Sequence, residues 1–189
     1  MKGQRVVAGI DPGSQRVGWA IAAVDARGGL LRLDSGIWAL GRSPQPMAER
    51  LTLLHAHLDA LLAEWRPAEV ALEAAFFGRN ARSALRLGEA RGAILVACGA
   101  HGIGVRELPP ATVKRRVAGA GAAAKESVAE LVRMHYGLED HDFAGEDESD
   151  ALAVAACLLL EGAEVAVPAV PGPARGAAGR TLPPGASFQ

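Results

Sequence analysis

The stretch Arg5-Val6-Val7-Ala8-Gly9-Ile10-Asp11-Pro12-Gly13-Ser14 passes from an almost wholly apolar run straight into turn residues, with an acid at the boundary. A short apolar run of this kind suits a central strand covered on both faces. Asp11-Pro12-Gly13-Ser14 then breaks it with turn chemistry. Gly18–Val24 forms a second apolar run, and Leu31, Leu33, Ser35 and Ile37 alternate with Arg32, Asp34 and Gly36. The close spacing of the three runs predicts an antiparallel meander.

Further along, Pro44 and Pro46 open a helix whose stripe is Met47, Leu51, Leu54, Leu58, Leu61 and Trp65, and Pro67 stops it. Val70-Ala71-Leu72-Glu73 reads as a fourth strand. A loop over Phe76–Asn80 leads to a helix from about Ser83 to Cys98, and a fifth strand ends at Leu108. A short helix follows Pro109-Pro110, another covers Lys125 to Tyr136, and the last starts near Glu146. That last helix is apolar nearly all round through Leu160, so it should be buried. The order βββαβαβ followed by helices predicts an α/β domain, a five-stranded mixed sheet flanked by helices, over residues 1–161. From Gly162 the composition turns to Ala, Gly and Pro, which predicts a disordered tail over 162–189.

The chain has 189 residues, half of them apolar, enough for one domain with a sizeable core. It shows no long uncharged apolar run and no signal-peptide pattern at its start, so a cytoplasmic protein without a membrane span is expected. Cys98 and Cys157 lie far apart in apolar surroundings and read as buried free thiols. The net charge is −1, but its distribution is uneven. Residues 76–118 carry eight basic groups against two acidic ones, whereas 138–150 carry seven acids and no Lys or Arg. Trp19, Trp38 and Trp65 are expected in the core. Gly88 and Gly92 make a G-x-x-x-G step that serves close packing either on the sheet or on the same helix of a second subunit.

Two acids end apolar strands, Asp11 and Glu73. If the first and fourth strands are neighbours, both carboxylates sit at adjacent strand ends. Asp147 and Asp150 share one helix face at a three-residue step, and Glu146 also faces Asp150 at a four-residue step. Acids gathered in this way repel one another, a conflict that a divalent cation removes. All-oxygen donors select Mg²⁺ or Mn²⁺. Two such ions about 4 Å apart assist phosphodiester cleavage. Taken singly, each acid also has an ordinary structural reading as a turn residue, an ion-pair partner or a helix N-terminal charge. A phosphotransferase of the sugar-kinase and actin class, a structured-RNA nuclease on the same fold and a non-catalytic nucleic-acid-binding module remain alternatives.

Five motifs, in order and at matching spacing over roughly residues 5–160, make the chain resemble the RuvC family of Holliday-junction resolvases. They are Gly9-Ile10-Asp11-Pro12-Gly13-Ser14 with Val17-Gly18; Leu72-Glu73 with Phe76; Asn80 with Ser83–Gly92; Val113-Lys114 with Gly119-Ala120-Gly121 and Lys125; and Asp147-Glu148-Ser149-Asp150-Ala151-Leu152-Ala153. The resemblance implies an RNase H-like fold, a homodimer and Mg²⁺-dependent paired nicking of four-way junction DNA in recombination and repair. It implies a branch-migration translocase complex as partner. It also implies that Asp11, Glu73, Asp147 and Asp150 are the catalytic, metal-binding acids, with Asp147 rather than Glu146 as the third. Phe76 falls where the family has an aromatic acting on junction bases, and Lys114 and Lys125 where it has phosphate-contacting lysines. Arg79 and Arg82, in the basic segment, join them as candidate DNA contacts. Glu146 and Glu148 make the closing motif unusually acidic.

Overall fold

A computed structural model describes residues 5–74, 81–119, 125–139 and 142–161, without the side chains of 125–127. Phe76, Phe77, Arg79, the Gly/Ala segment 120–124 and the proposed tail 162–189 lie outside the described residues, as does the side chain of Lys125.

Three strands, β1 (Val6–Asp11), β2 (Arg16–Val24) and β3 (Leu30–Ala39), form the expected antiparallel meander. Helix α1 (Met47–Trp65) leads to β4 (Glu69–Glu73), α2 (Ala81–Ala100) leads to β5 (Gly104–Leu108), and α3 (Pro110–Ala118), α4 (Lys125–Tyr136) and α5 (Glu146–Leu159) close the described fold. The sheet order is β3-β2-β1-β4-β5, with β1–β4 and β4–β5 parallel. A five-stranded mixed sheet flanked by helices is thus observed. Local chemistry sets the helix ends. Arg66 takes the left-handed conformation that ends α1 just before Pro67. Pro110 opens α3, where a missing N–H costs nothing, and Gly119 at φ 73° closes it.

Side chains alternate across a strand, so each strand feeds two cores. Ala8, Ile10, Val17, Ile21, Val70 and Leu72 pack with α1 and α2. Val7, Ala20, Ala22, Ala71 and Leu108 pack with α3, α4 and α5. Helix α5 is covered on nearly every side, and only Asp150 between Glu148 and Leu159 escapes full burial. It lies directly on the sheet because two glycines let it. A Cβ on Gly9 would stand 2.2 Å from the Ala151 carbonyl oxygen, and one on Gly18 1.8 Å from that of Asp147.

One expectation, that for the tryptophans, needs correction. The tryptophans are half-buried and flank the core rather than filling it. Trp19 stacks on Trp38 with centroids 5.4 Å apart, and Trp38 stacks on His57 at 5.2 Å. Trp19 Nε1 is buried without a hydrogen-bond partner, so no polar contact of the ring accounts for its position. Of the two packings open to Gly88 and Gly92, that on the sheet is not observed, since a Cβ at either would meet nothing within 4 Å. Both thiols are free and buried, as expected. No described helix is long and apolar enough to cross a membrane.

Candidate active site

Strand parity places the acids. Asp11 shares a face with Val7 and Gly9, and Glu73 with Ala71, and this is the face that α5 covers. The β1–β4 register pairs Ile10 with Leu72, so Asp11 and Glu73 follow side by side at the ends of neighbouring strands. Helix α5 crosses above them. Its Asp147 carbonyl rests on Gly18 of β2, the residue paired with Asp11, and its Ala151 carbonyl rests on Gly9 of β1. Asp150 and Glu73 open into one cavity of about 260 Å³, which Lys114 of α3 also lines. Four acids from three elements are therefore brought to one end of one sheet face.

Each acid is held by its surroundings. Arg91 of α2, nearly buried, donates through Nη1 to the backbone carbonyl of Glu73 and pairs through Nη2 with Glu107 at 2.9 Å. The Ala74 amide donates to the Leu108 carbonyl at 2.8 Å and fixes the chain leaving β4. Asp147 accepts Arg16 Nε at 2.9 Å. Asp11, Glu73, Glu146 and Asp150 have interactions of their own as well. Among the described residues no three carboxylates stand together as a ready-made cation site. The gathered four expected from sequence are gathered at the level of their elements, not of their carboxylate oxygens. Hard oxygen donors on two strand ends and one buried helix fit a divalent ion in chemistry, and two of them, Glu73 and Asp150, open into a shared cavity.

The acidic closing motif divides its labour. Glu148 is 3% exposed and turned away from the other acids. It accepts Ser35 Oγ at 2.5 Å and the Ala144 amide at 2.6 Å, with Arg32 Nη1 at 3.9 Å. It reaches back across the start of α5 to the amide one residue before the N-cap Gly145, a position beyond the N-cap amide that a capping-box acid takes. Its role is to fix the first turn of α5 against β3.

The basic segment is also less uniform than its count suggests. Arg91 serves the end of β4. Arg106 pairs with Glu69 at 2.9 Å and with Glu161, and Arg116 donates to the Cys157 carbonyl at 2.9 Å. These three of the eight basic groups hold elements together. Arg82 lies exposed at the start of α2, Lys114 lines the acid cavity, and Lys125 opens α4.

A sheet of this order, with acids ending its two adjacent parallel strands and a helix carrying two more across them, defines a nuclease of the RNase H-like fold. The family model described as "Crossover junction endodeoxyribonuclease RuvC" matches residues 7–158. The chain belongs to the RuvC family. Its relatives include the crossover junction endodeoxyribonuclease RuvC of Myxococcus xanthus, 44% identical over 163 residues, covering 86% of this chain and 84% of the relative. That of Anaeromyxobacter dehalogenans is 43% identical over 164 residues, covering 87% and 85%. Among solved structures, Thermus thermophilus RuvC in complex with Holliday junction substrate superposes with a TM-score of 0.74 at 39% identity, over 81% of this chain and 92% of that one. The yeast mitochondrial Holliday junction resolvase Ydc2, at 15% identity and a TM-score of 0.62, shares the fold.

Proposed function

We propose that this chain is a structure-selective endonuclease that resolves four-way DNA junctions by paired symmetric nicks, with Asp11, Glu73, Asp147 and Asp150 holding divalent metal. The observation that carries the site assignment is the convergence of β1, β4 and α5, which turns Asp11 and Glu73 toward the helix that bears Asp147 and Asp150. When bound, two Mg²⁺ (or Mn²⁺) ions supply water activation and stabilisation of the leaving oxygen. The chain's own groups do the rest. Glu73 and Asp150 line the cavity that takes the scissile phosphate, and Lys114 at its wall orients that phosphate by charge. The Arg91 contact keeps the end of β4 rigid, so the Glu73 carboxylate stays within the narrow tolerance that cleavage requires. Arg82, Arg79 and Lys125 contact the flanking backbone, and Phe76 stacks on bases at the crossover.

Paired nicks on a substrate of near two-fold symmetry call for a C₂ homodimer. Helix α2 supports one. Its outward face carries Leu85 and Val96, each 66% exposed, beside Leu95, Gly88 and Gly92, while its other face is buried in the core. An apolar stripe with two glycines open to close approach suits the same helix of a second subunit. A branch-migration translocase complex is the partner that would deliver junctions to the dimer. The test is to incubate the protein with a synthetic four-way junction and Mg²⁺ or Mn²⁺. Symmetric nicks in opposed strands are expected. Intact junction under both metals, or equal cutting of a plain duplex, would refute the reading.

A further inference from the structure

Beside the acid site lies a second cleft of about 480 Å³, floored in part by Ile37 and Ala39, whose charged lining residues are both arginines. Gln15 and Arg16 line it from the β1–β2 turn, Gly41 and Arg42 from the chain after β3, and Ala144 from the turn before α5. The two walls are tied by the Leu40 amide donating to the Gln15 carbonyl at 2.8 Å. Behind them sits Arg50 of α1, only 3% exposed. Its Nη1 and Nη2 donate to the carbonyls of Ser14 (3.3 Å) and Gln45 (3.0 Å), and its Nε has no hydrogen-bond partner. No carboxylate pairs with Arg50 or with Arg42 among the described residues.

A buried guanidinium without a counter-ion is costly, and carbonyl dipoles offset only part of that cost. An anion in the adjoining cleft would offset more of it. Guanidinium groups also suit phosphate in geometry, through their planar fork of donors. Arg16 joins this cleft to the acid site. Its guanidinium passes over Gly145, where a Cβ would stand 3.2 Å from Nη2, and reaches Asp147 at 2.9 Å. Both partners are substantially exposed, so the pair is weak and exchanges at small cost.

We propose that this cleft binds a backbone phosphodiester of the substrate beside the scissile one, and that Arg16, on engaging it, uncovers Asp147 for metal. The assignment rests on the nuclease reading above and adds to it a subsite and a coupling. Arg42 and Arg16 hold the phosphodiester while Arg50 supplies fixed charge from behind. Arg16 has two alternative anions, the Asp147 carboxylate and the DNA phosphate. DNA therefore favours metal loading, and by reciprocity metal favours DNA.

Two titrations test this, using Arg16→Gln, Arg42→Gln and the unaltered protein, with a thermal melt confirming that each is folded. In the first, Mn²⁺ binding to the DNA-free protein is read by electron paramagnetic resonance. Arg16→Gln should bind Mn²⁺ about threefold more tightly, the scale of one exposed ion pair, and Arg42→Gln should match the unaltered protein. In the second, binding of a fluorescent four-way junction is followed without metal over a salt series. Each variant should weaken binding and lower the slope of log affinity on log salt by about one. An unchanged slope for Arg42→Gln would overturn the phosphate subsite, and unchanged or weaker Mn²⁺ binding by Arg16→Gln would overturn the uncovering of Asp147. Failure of the nuclease reading looks different: the unaltered protein itself would then show no preference for a four-way junction over a duplex of equal length.

Discussion

Gly18→Ala tests whether the seating of α5 on the sheet sets the chemistry. The added Cβ would lie 1.8 Å from the Asp147 carbonyl oxygen and 2.4 Å from its carbon, whereas ordinary contact begins at 3.4 Å. The helix start must therefore retreat by about 1.6 Å, since both opposing atoms are backbone and no rotamer relieves the clash. The sheet cannot yield instead, because Gly18 is paired with Asp11 on one side and Ile37 on the other. Overpacking of this kind costs about 1–3 kcal/mol. For a domain of this size that lowers the melting midpoint by roughly 2–12 °C. The larger effect is on function. Asp147 moves with the turn that carries it, and a displacement near 1 Å costs on the order of a hundredfold in rate. Single-turnover cleavage of a labelled junction, measured well below the variant's melting midpoint, should fall by about that factor. Metal-free junction binding should persist, because the basic groups are untouched. Unimpaired cleavage by a folded Gly18→Ala protein would refute the claim that this helix–strand contact positions the site.

Three further outcomes follow from the same structure. Lys114→Ala and Lys125→Ala should each weaken junction binding regardless of base sequence and lower the salt slope by about one, which anisotropy titrations check. Val96→Asp, on the exposed stripe of α2, should shift light scattering from dimer to monomer and abolish paired nicking while the fold persists. Burial pushes the Cys98 thiol up to about 11 and raises that of Cys157 as well. At neutral pH both are therefore protonated, and a thiol reagent should label neither until the protein is unfolded. Above about pH 9 the unfolded thiols ionise before the folded ones, so these two groups cost stability as pH rises further.

Much of the fold was legible because strands and helices here keep to their periods. The run Arg5–Ile10 ends in Asp11, the run Val70–Leu72 ends in Glu73, and each acid falls where its strand stops. The continuous apolar character of residues 151–160 marked α5 as buried, which the packing of both glycine-bearing strands against it explains. What pattern could not show was long-range pairing. Glu148 looked like one more acid in a motif, yet its partners Ser35 and Arg32 lie over a hundred residues away. Arg91, Arg106 and Arg116 counted toward the basic segment, although carbonyls and carboxylates on other elements engage them. Arg50 sat at stripe spacing on an amphipathic helix, and its burial against the turn after Asp11 went unread. A cation spaced with leucines along a buried helix face was the available signal. The tryptophans misled because size suggests a core, whereas Trp19 and Trp38 stack on each other beside it and Trp65, at the end of α1, packs against it half-buried.

The central claim is that Asp11, Glu73, Asp147 and Asp150 act together in cutting a four-way junction while other groups hold the DNA. Cleavage and binding of one synthetic junction, measured side by side for the unaltered protein and for Glu73→Gln, test it most directly. Glu73 is the acid to choose because its backbone is held by Arg91 and its carboxylate shares a cavity with Asp150 and Lys114. Symmetric nicks by the unaltered protein in Mg²⁺ or Mn²⁺, none by Glu73→Gln, and near-equal junction affinity for the two are expected. Normal nicking by Glu73→Gln would contradict it.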